Sequence, residues 1–200
     1  MKPKNDKGHD HEHGPLLAPL VRGYASSYIE MAKSRAIFMH EDVSDHVAAE
    51  LSAMLLYYDN EDHEEPISLY LHSNGGAVSG LANIYDVMQM VHAPVKTYLL
   101  GKCYSAGAVI LAAGSKGQRY ALKSSNVMIH GIQFGFPIPG EDMANNKSYL
   151  DFVNEENDRI MKMLAHHSGQ PLDKIKQDCT REVWLDAKAA KEYGIIDHII

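Results

Sequence analysis

One serine, Ser105, stands at the front edge of an apolar, small-residue segment, "GKCYSAGAVILAAG", Gly101 to Gly114. Two roles fit that place. Ser105 caps a buried helix, or it is a nucleophile held at the electropositive helix end. A serine hydroxyl needs a base to take its proton, and the base needs an acid to orient it. Both types follow in the chain. His130 ends the apolar run "NVMI", and Asp178 and Glu182 lie four apart near a predicted helix end. Upstream, Gly75 and Gly76 separate a predicted strand from a predicted helix. Glycine there permits a turn at positive φ and leaves N–H groups free to face a developing oxyanion. The chain order is therefore Gly-Gly, Ser, His, carboxylate, the set that acyl transfer to water requires. Each member also has a plain structural reading: a tight turn, a helix cap, a packed histidine, a solvated acidic face. "CYSAG" matches the G-x-S-x-G elbow only in part, because Cys103 replaces the first glycine.

These residues must be positioned by a repeating strand–helix grammar. "AIFM" (Ala36–Met39) is a strand, and Ser44 caps a helix with one apolar face at Val47, Leu51, Met54, Leu55 and Tyr58. Pro66 precedes the strand Ile67–Ser73, in which Ile67, Leu69 and Leu71 face one side and Ser68, Tyr70 and His72 the other. A helix over Val78–Val91, the strand "VKTYLLG", the helix after Ser105 and the strands "GQRYAL" and "NVMIHG" come next. After a Gly/Pro-rich loop the spacing predicts a long helix, about Met143–His167. Its stripe is Tyr149, Phe152, Val153, Ile160, Met163 and Leu164, and Gly169 stops it. "PLDKIKQDC" opens a further helix, "VWL" a strand, "DAKAAKEYG" a short helix and "IIDHII" the last strand. The pattern predicts an α/β fold of parallel β/α layers.

Composition narrows the function. The chain has 200 residues and a net charge of −7, the wrong sign for a nucleic-acid surface. Neither glycine-rich phosphate loop occurs. No apolar run approaches a membrane span, and the polar start lacks the apolar core of a secretory signal. Two isolated cysteines, Cys103 and Cys179, read as reduced thiols in a cytoplasmic protein. Residues 1–14 read as a disordered polar tail. Its His9, His11 and His13 are a solvated segment rather than a specific metal site, so no metal or cofactor is expected. "PLLAPLV" (Pro15–Val21) is an apolar patch that must bury on its own domain or on a partner.

From about Tyr28 to Ile200 the chain resembles the proteolytic subunit of the ATP-dependent Clp protease, the ClpP family. The pieces that carry the likeness are "YLHSNGG", "IYDVMQMV", "GKCYSAGAVILAAGSKGQRYAL", "NVMIH" and "AAKEYGIIDHII", in the right order and spacing. The resemblance implies a crotonase-like head domain (28–200) with a projecting helical handle at about 131–168, and an axial segment at 15–27. It implies heptameric rings stacked through the handles into a tetradecamer, with active sites inside a closed chamber. It implies a serine endopeptidase that cleaves unfolded polypeptides delivered by an AAA+ unfoldase of the ClpX, ClpA or ClpC type, which alone uses ATP. By position, Ser105 matches the nucleophile and His130 the base. Gly76 and Ala106 match the residues whose N–H groups form the oxyanion hole. The family's acid is usually Asp; Glu182 is aligned there, and Asp178 is the nearby substitute. The family's unfoldase-docking pocket maps onto Tyr70, Met90, Tyr98 and Tyr120.

The chain also departs from the family. Asn74 stands where proline is usual, Cys103 and Tyr104 precede the serine in place of small residues, and the loop after His130 is longer. Ser68 stands where an aromatic is common. These departures motivate a second reading: a mainly structural or regulatory subunit that needs a paralogous ClpP partner to assemble and act. Acyl-CoA chemistry on the same fold is a third, which nothing in the sequence supports.

Overall fold

The computed structural model describes residues 27–200. The three tail histidines and most of the expected axial segment lie outside the described residues. The chain divides into two units, residues 1–34 and 35–200. In the first, residues 27–33 form a helix, α1. The second holds the rest: β1 (Ala36–Met39), α2 (Asp45–Glu61), β2 (Ile67–Ser73), α3 (Val78–Met90), β3 (Val95–Tyr104), α4 (Ala106–Ala112), β4 (Arg119–Ala121), β5 (Asn126–Ile129), α5 (Met143–Ser168), α6 (Leu172–Asp178), β6 (Val183–Asp186), α7 (Ala187–Tyr193) and β7 (His198–Ile199). The fold is mixed α/β and agrees with the crotonase-like architecture expected. Among the described residues no helix is long and apolar enough to cross a membrane.

Seven strands form one sheet in the order β1-β2-β3-β4-β7, with β5 on β3 and β6 on β5. All pairings are parallel except β5–β6, which is antiparallel. Alternation decides which face is buried. In β2, Ile67, Leu69 and Leu71 are fully buried while Ser68, Tyr70 and His72 are half-buried. Each such inward side chain contributes about 2 kcal/mol of burial. Against that face pack Leu51 and Leu55 of α2, Leu81 and Ile84 of α3, and Ile110 and Leu111 of α4. Ser44 caps α2 as expected, its Oγ accepting from the Val47 N–H at 3.2 Å.

Two expectations need correction. The strand read as ending at Gly101 continues to Tyr104. Its first half pairs with β4 and its second half with β5, and the register against β2 shifts between Leu71 and Ser73. Gly101 sits in the shifted segment at φ 82°, so the glycine bends a strand rather than ending one. The α5 stripe also differs. Val153, Ile160, Met163 and Leu164 are buried, but Phe152 is 57 % exposed. Asn146, Glu156 and Met161 are buried on α5 instead.

A polar hub ties four elements together. Arg119 on β4 donates to both carboxylate oxygens of Asp197, just before β7, at 2.6 and 2.8 Å. Its other nitrogen donates to the carbonyls of Ala112 on α4 and His167 on α5. The bidentate geometry and the extra acceptors satisfy a buried guanidinium.

Candidate active site

Register assembles the site. Parallel strands β2, β3 and β5 end at the same sheet edge, with Ser73 beside Cys103 and Tyr104 beside Met128. The residues just beyond those ends therefore converge: Gly75 and Gly76, Ser105, and His130. Ligands in open α/β sheets bind at such carboxyl ends. The antiparallel pair then brings in the acid. Ile129 faces Val183, so the next residues outward, His130 and Glu182, are neighbours.

Ser105 is held in a strained turn. Its φ is 52° and ψ −122°, and only Arg35 shares a positive φ among the described non-glycine residues. Such a conformation costs about 1–3 kcal/mol and persists only where the surroundings impose it. The Ser105 N–H donates to the Met128 carbonyl at 2.8 Å, which fixes the turn to β5. Its side chain makes no capping hydrogen bond. The cap role is therefore unfilled, and the hydroxyl is free for other work.

The glycines fit against this turn. A Cβ on Gly75 would lie 2.7 Å from both Ser105 Cβ and the Tyr104 carbonyl. A Cβ on Gly76 would meet the Val43 backbone, its nitrogen at 2.8 Å. Their φ values are 95° and 144°. Hydrogen bonds run from Val43 N–H to Gly75 O and from Ala77 N–H to Val43 O, leaving the Gly76 N–H outside that ladder.

A cavity of about 320 Å³ opens over this edge. Ser105, His130, Gly76, Ala106 and Glu182 all line it, together with Asn74 and with Ile160 and Leu164 of α5. Asp178 does not line it. Its carboxylate pairs with Lys174 and accepts from the Tyr193 hydroxyl at 2.7 Å. Those two bonds hold the Asp178 carboxyl below its ordinary range. Burial, followed by the Asp178 carboxylate, pushes the Tyr193 phenol far up.

The hydrogen bonds of a Ser-His-acid relay are not formed. Among the described residues neither Ser105 Oγ nor the Glu182 carboxylate is hydrogen-bonded to His130. Glu182 Oε2 accepts instead from the Trp184 indole N–H at 3.2 Å. The Trp184 ring meets Tyr104 edge-on at 5.0 Å, and Lys102 lies over Tyr104 at 5.9 Å. Sequence reading saw Trp184 only as part of a strand. No local signal marks its contact with Tyr104, which arises only because β5 lies between β3 and β6. The loop beyond His130 is tethered by Gly131 N–H to Cys179 O and by Ile132 N–H to Asn157 Oδ1, both 2.9 Å. Neither cysteine competes as nucleophile. Burial pushes the Cys103 thiol far up and Cys179 up to about 11.

The expected docking residues fall on the other side of the sheet. Tyr70, Tyr98 and Tyr120 stack at 4.7 and 4.9 Å in one row across β2, β3 and β4. Phe38 and His198 extend the row at its two ends. Met90 is 59 % exposed at the end of α3 and is not part of the row.

The Clp protease family model matches residues 22–200. The chain belongs to the Clp protease family.

Proposed function

We propose that this chain is a serine endopeptidase subunit of an ATP-dependent Clp protease, with Ser105 as nucleophile, His130 as general base and Glu182 as the orienting acid. The observation that carries the reading is Ser105, strained at a strand–helix turn and facing one cavity with His130 and Glu182. His130 takes the Ser105 proton as Oγ attacks the scissile carbonyl. The N–H groups of Gly76 and Ala106 receive the oxyanion. His130 then protonates the leaving amine, and water repeats the sequence on the acyl-enzyme. Glu182 is favoured over Asp178 because it lines the cavity, whereas Asp178 is held by Lys174 and Tyr193.

The same reading takes residues 131–168 as the handle, with the exposed Phe152 against an opposing ring. It places the tyrosine row and Met90 under unfoldase loops and the assembly in the cytoplasm. The test is covalent labelling by a fluorophosphonate. Labelling should track the ring-sized species on a sizing column, and Ser105→Ala should abolish it together with peptide cleavage, by about 10⁴-fold or more. Assembled rings that do not label would overturn the assignment.

One observation favours the second reading, a subunit completed by a paralogous partner. The hydroxyl, imidazole and carboxylate share a cavity but make none of the bonds that a working triad needs, and Glu182 is engaged by Trp184. A homogeneous ring with full peptidase activity eliminates that reading. Activity that appears only on mixing with a second ClpP-type chain selects it.

A further inference from the structure

Away from the cavity, three side chains meet where α2 ends. Asp59 lies in the last turn of α2, His63 just beyond it, and His92 in the connection between α3 and β3. The Asp59 side chain is 12 % exposed, and its two carboxylate oxygens differ. Oδ1 accepts the backbone N–H groups of His92 and Ala93, both at 2.8 Å. Oδ2 has no backbone donor and instead faces both imidazoles. His63 Nδ1 is 3.4 Å from it and His92 Nδ1 3.5 Å. The three donor atoms all lie within 4.8 Å of one another. The two rings meet edge-to-face at 5.2 Å and are largely open to solvent.

We propose that Asp59 Oδ2, His63 Nδ1 and His92 Nδ1 form a site for a borderline divalent transition-metal ion of the Zn²⁺ class. A tetrahedral ion about 2.0–2.1 Å from each ligand holds its ligand atoms about 3.3 Å apart. The two oxygen–nitrogen separations already match that figure, and the exposed imidazoles close the remaining one by rotating. Two imidazoles with one carboxylate select Zn²⁺, Co²⁺, Ni²⁺ or Cu²⁺ over Mg²⁺ and Ca²⁺, which favour all-oxygen sets. The Oδ1 bonds supply the outer-shell support that aims a ligating carboxylate. The surroundings attract a cation. Glu61, Asp62, Glu64 and Glu65 are all exposed nearby, and the last turn of α2 carries no basic residue against its partial negative charge. Three protein ligands leave a fourth position for water or a partner's side chain. The ion would pin the end of α2 to the α3–β3 connection, two residues from Met90.

The probe is Zn²⁺ alone, titrated calorimetrically into the full chain. His9, His11 and His13 are changed to alanine so that the tail does not bind in parallel. One ion per chain at micromolar affinity or tighter is expected, and Co²⁺ should give tetrahedral visible absorption. His92→Ala should weaken binding by about 100-fold or more. Asp59→Asn should do likewise, although its amide oxygen still accepts the two N–H groups. Circular dichroism establishes that both variants are folded. Failure to bind stoichiometrically, or binding that His92→Ala leaves unchanged, refutes the site. Neither outcome bears on Ser105, since peptidase activity is read separately.

Discussion

Two polar clusters lie on this sheet and are built in opposite ways. Around Arg119 every strong group is engaged. The guanidinium grips Asp197 through two nitrogens, and its remaining donor is shared by two carbonyls. Around Ser105 the groups are brought together and left idle. Backbone bonds and close glycine packing fix the turn, while the hydroxyl and the imidazole lack partners among the described residues. The first arrangement is self-satisfied: the desolvated charge is compensated, and removing either partner would strand the other. The second holds strain and unspent hydrogen-bonding capacity, which is what a site needs if its bonds are to form around a substrate.

Substitutions should separate the clusters. The largest effect falls on the acid. Glu182→Gln should lower kcat on the order of 10⁴-fold with little change in stability, whereas Asp178→Asn should cost activity only a few-fold. If Asp178→Asn proves the more damaging to kcat in the folded protein, the carboxylates have been assigned the wrong way round. Next comes Asp197→Ala, which strands a buried guanidinium. A loss of about 3–5 kcal/mol in denaturant unfolding is expected, with activity per folded chain unchanged. Gly75→Ala lies between the clusters in kind. Its methyl would press on Ser105 and Tyr104 in a φ +95° conformation, so about 1–3 kcal/mol of stability and much of the activity should go together.

The smallest effect is a pH dependence. Burial, then His166 and Arg119, hold the His167 imidazole down at about 4, against an ordinary value of 6.5. Its Nε2 meets the Tyr85 hydroxyl at 3.0 Å. Between those values the unfolded chain binds the proton and the folded chain does not, so stability rises with pH across the window and is lost on acidification. Melting temperature should fall as pH drops from 6.5 to 4, and His167→Gln should flatten that slope. An unchanged slope would remove His167 as its source.

Much of this arrangement was legible in the residues. Ser44, Pro66, Gly169 and Gly194 punctuate the chain where helices and strands do start or stop, because caps and breakers act locally. The alternation of β2 and the placing of Ser105 between strand and helix were equally local. What could not be read depends on which strands pair. Asp178 and Glu182 look alike in a string of letters. The chain leaves α6 and enters an antiparallel pairing between them, which puts one on Lys174 and the other beside His130. The reach of β3 through Gly101 was hidden for the same reason, since the strand changes neighbour there, from β4 to β5. Phe152 broke the helical stripe because periodicity marks a face without saying whether the same chain covers it.

Trp184 is the sole tryptophan of the chain, and its indole is set against Tyr104 and bonded to Glu182, which lines the cavity. The protein thus carries its own optical gauge. In the proposed triad Glu182 would have to leave the indole for the imidazole, and the chromophore would then lose its acceptor and shift its emission. Such a rearrangement would be visible in real time in the unlabelled chain.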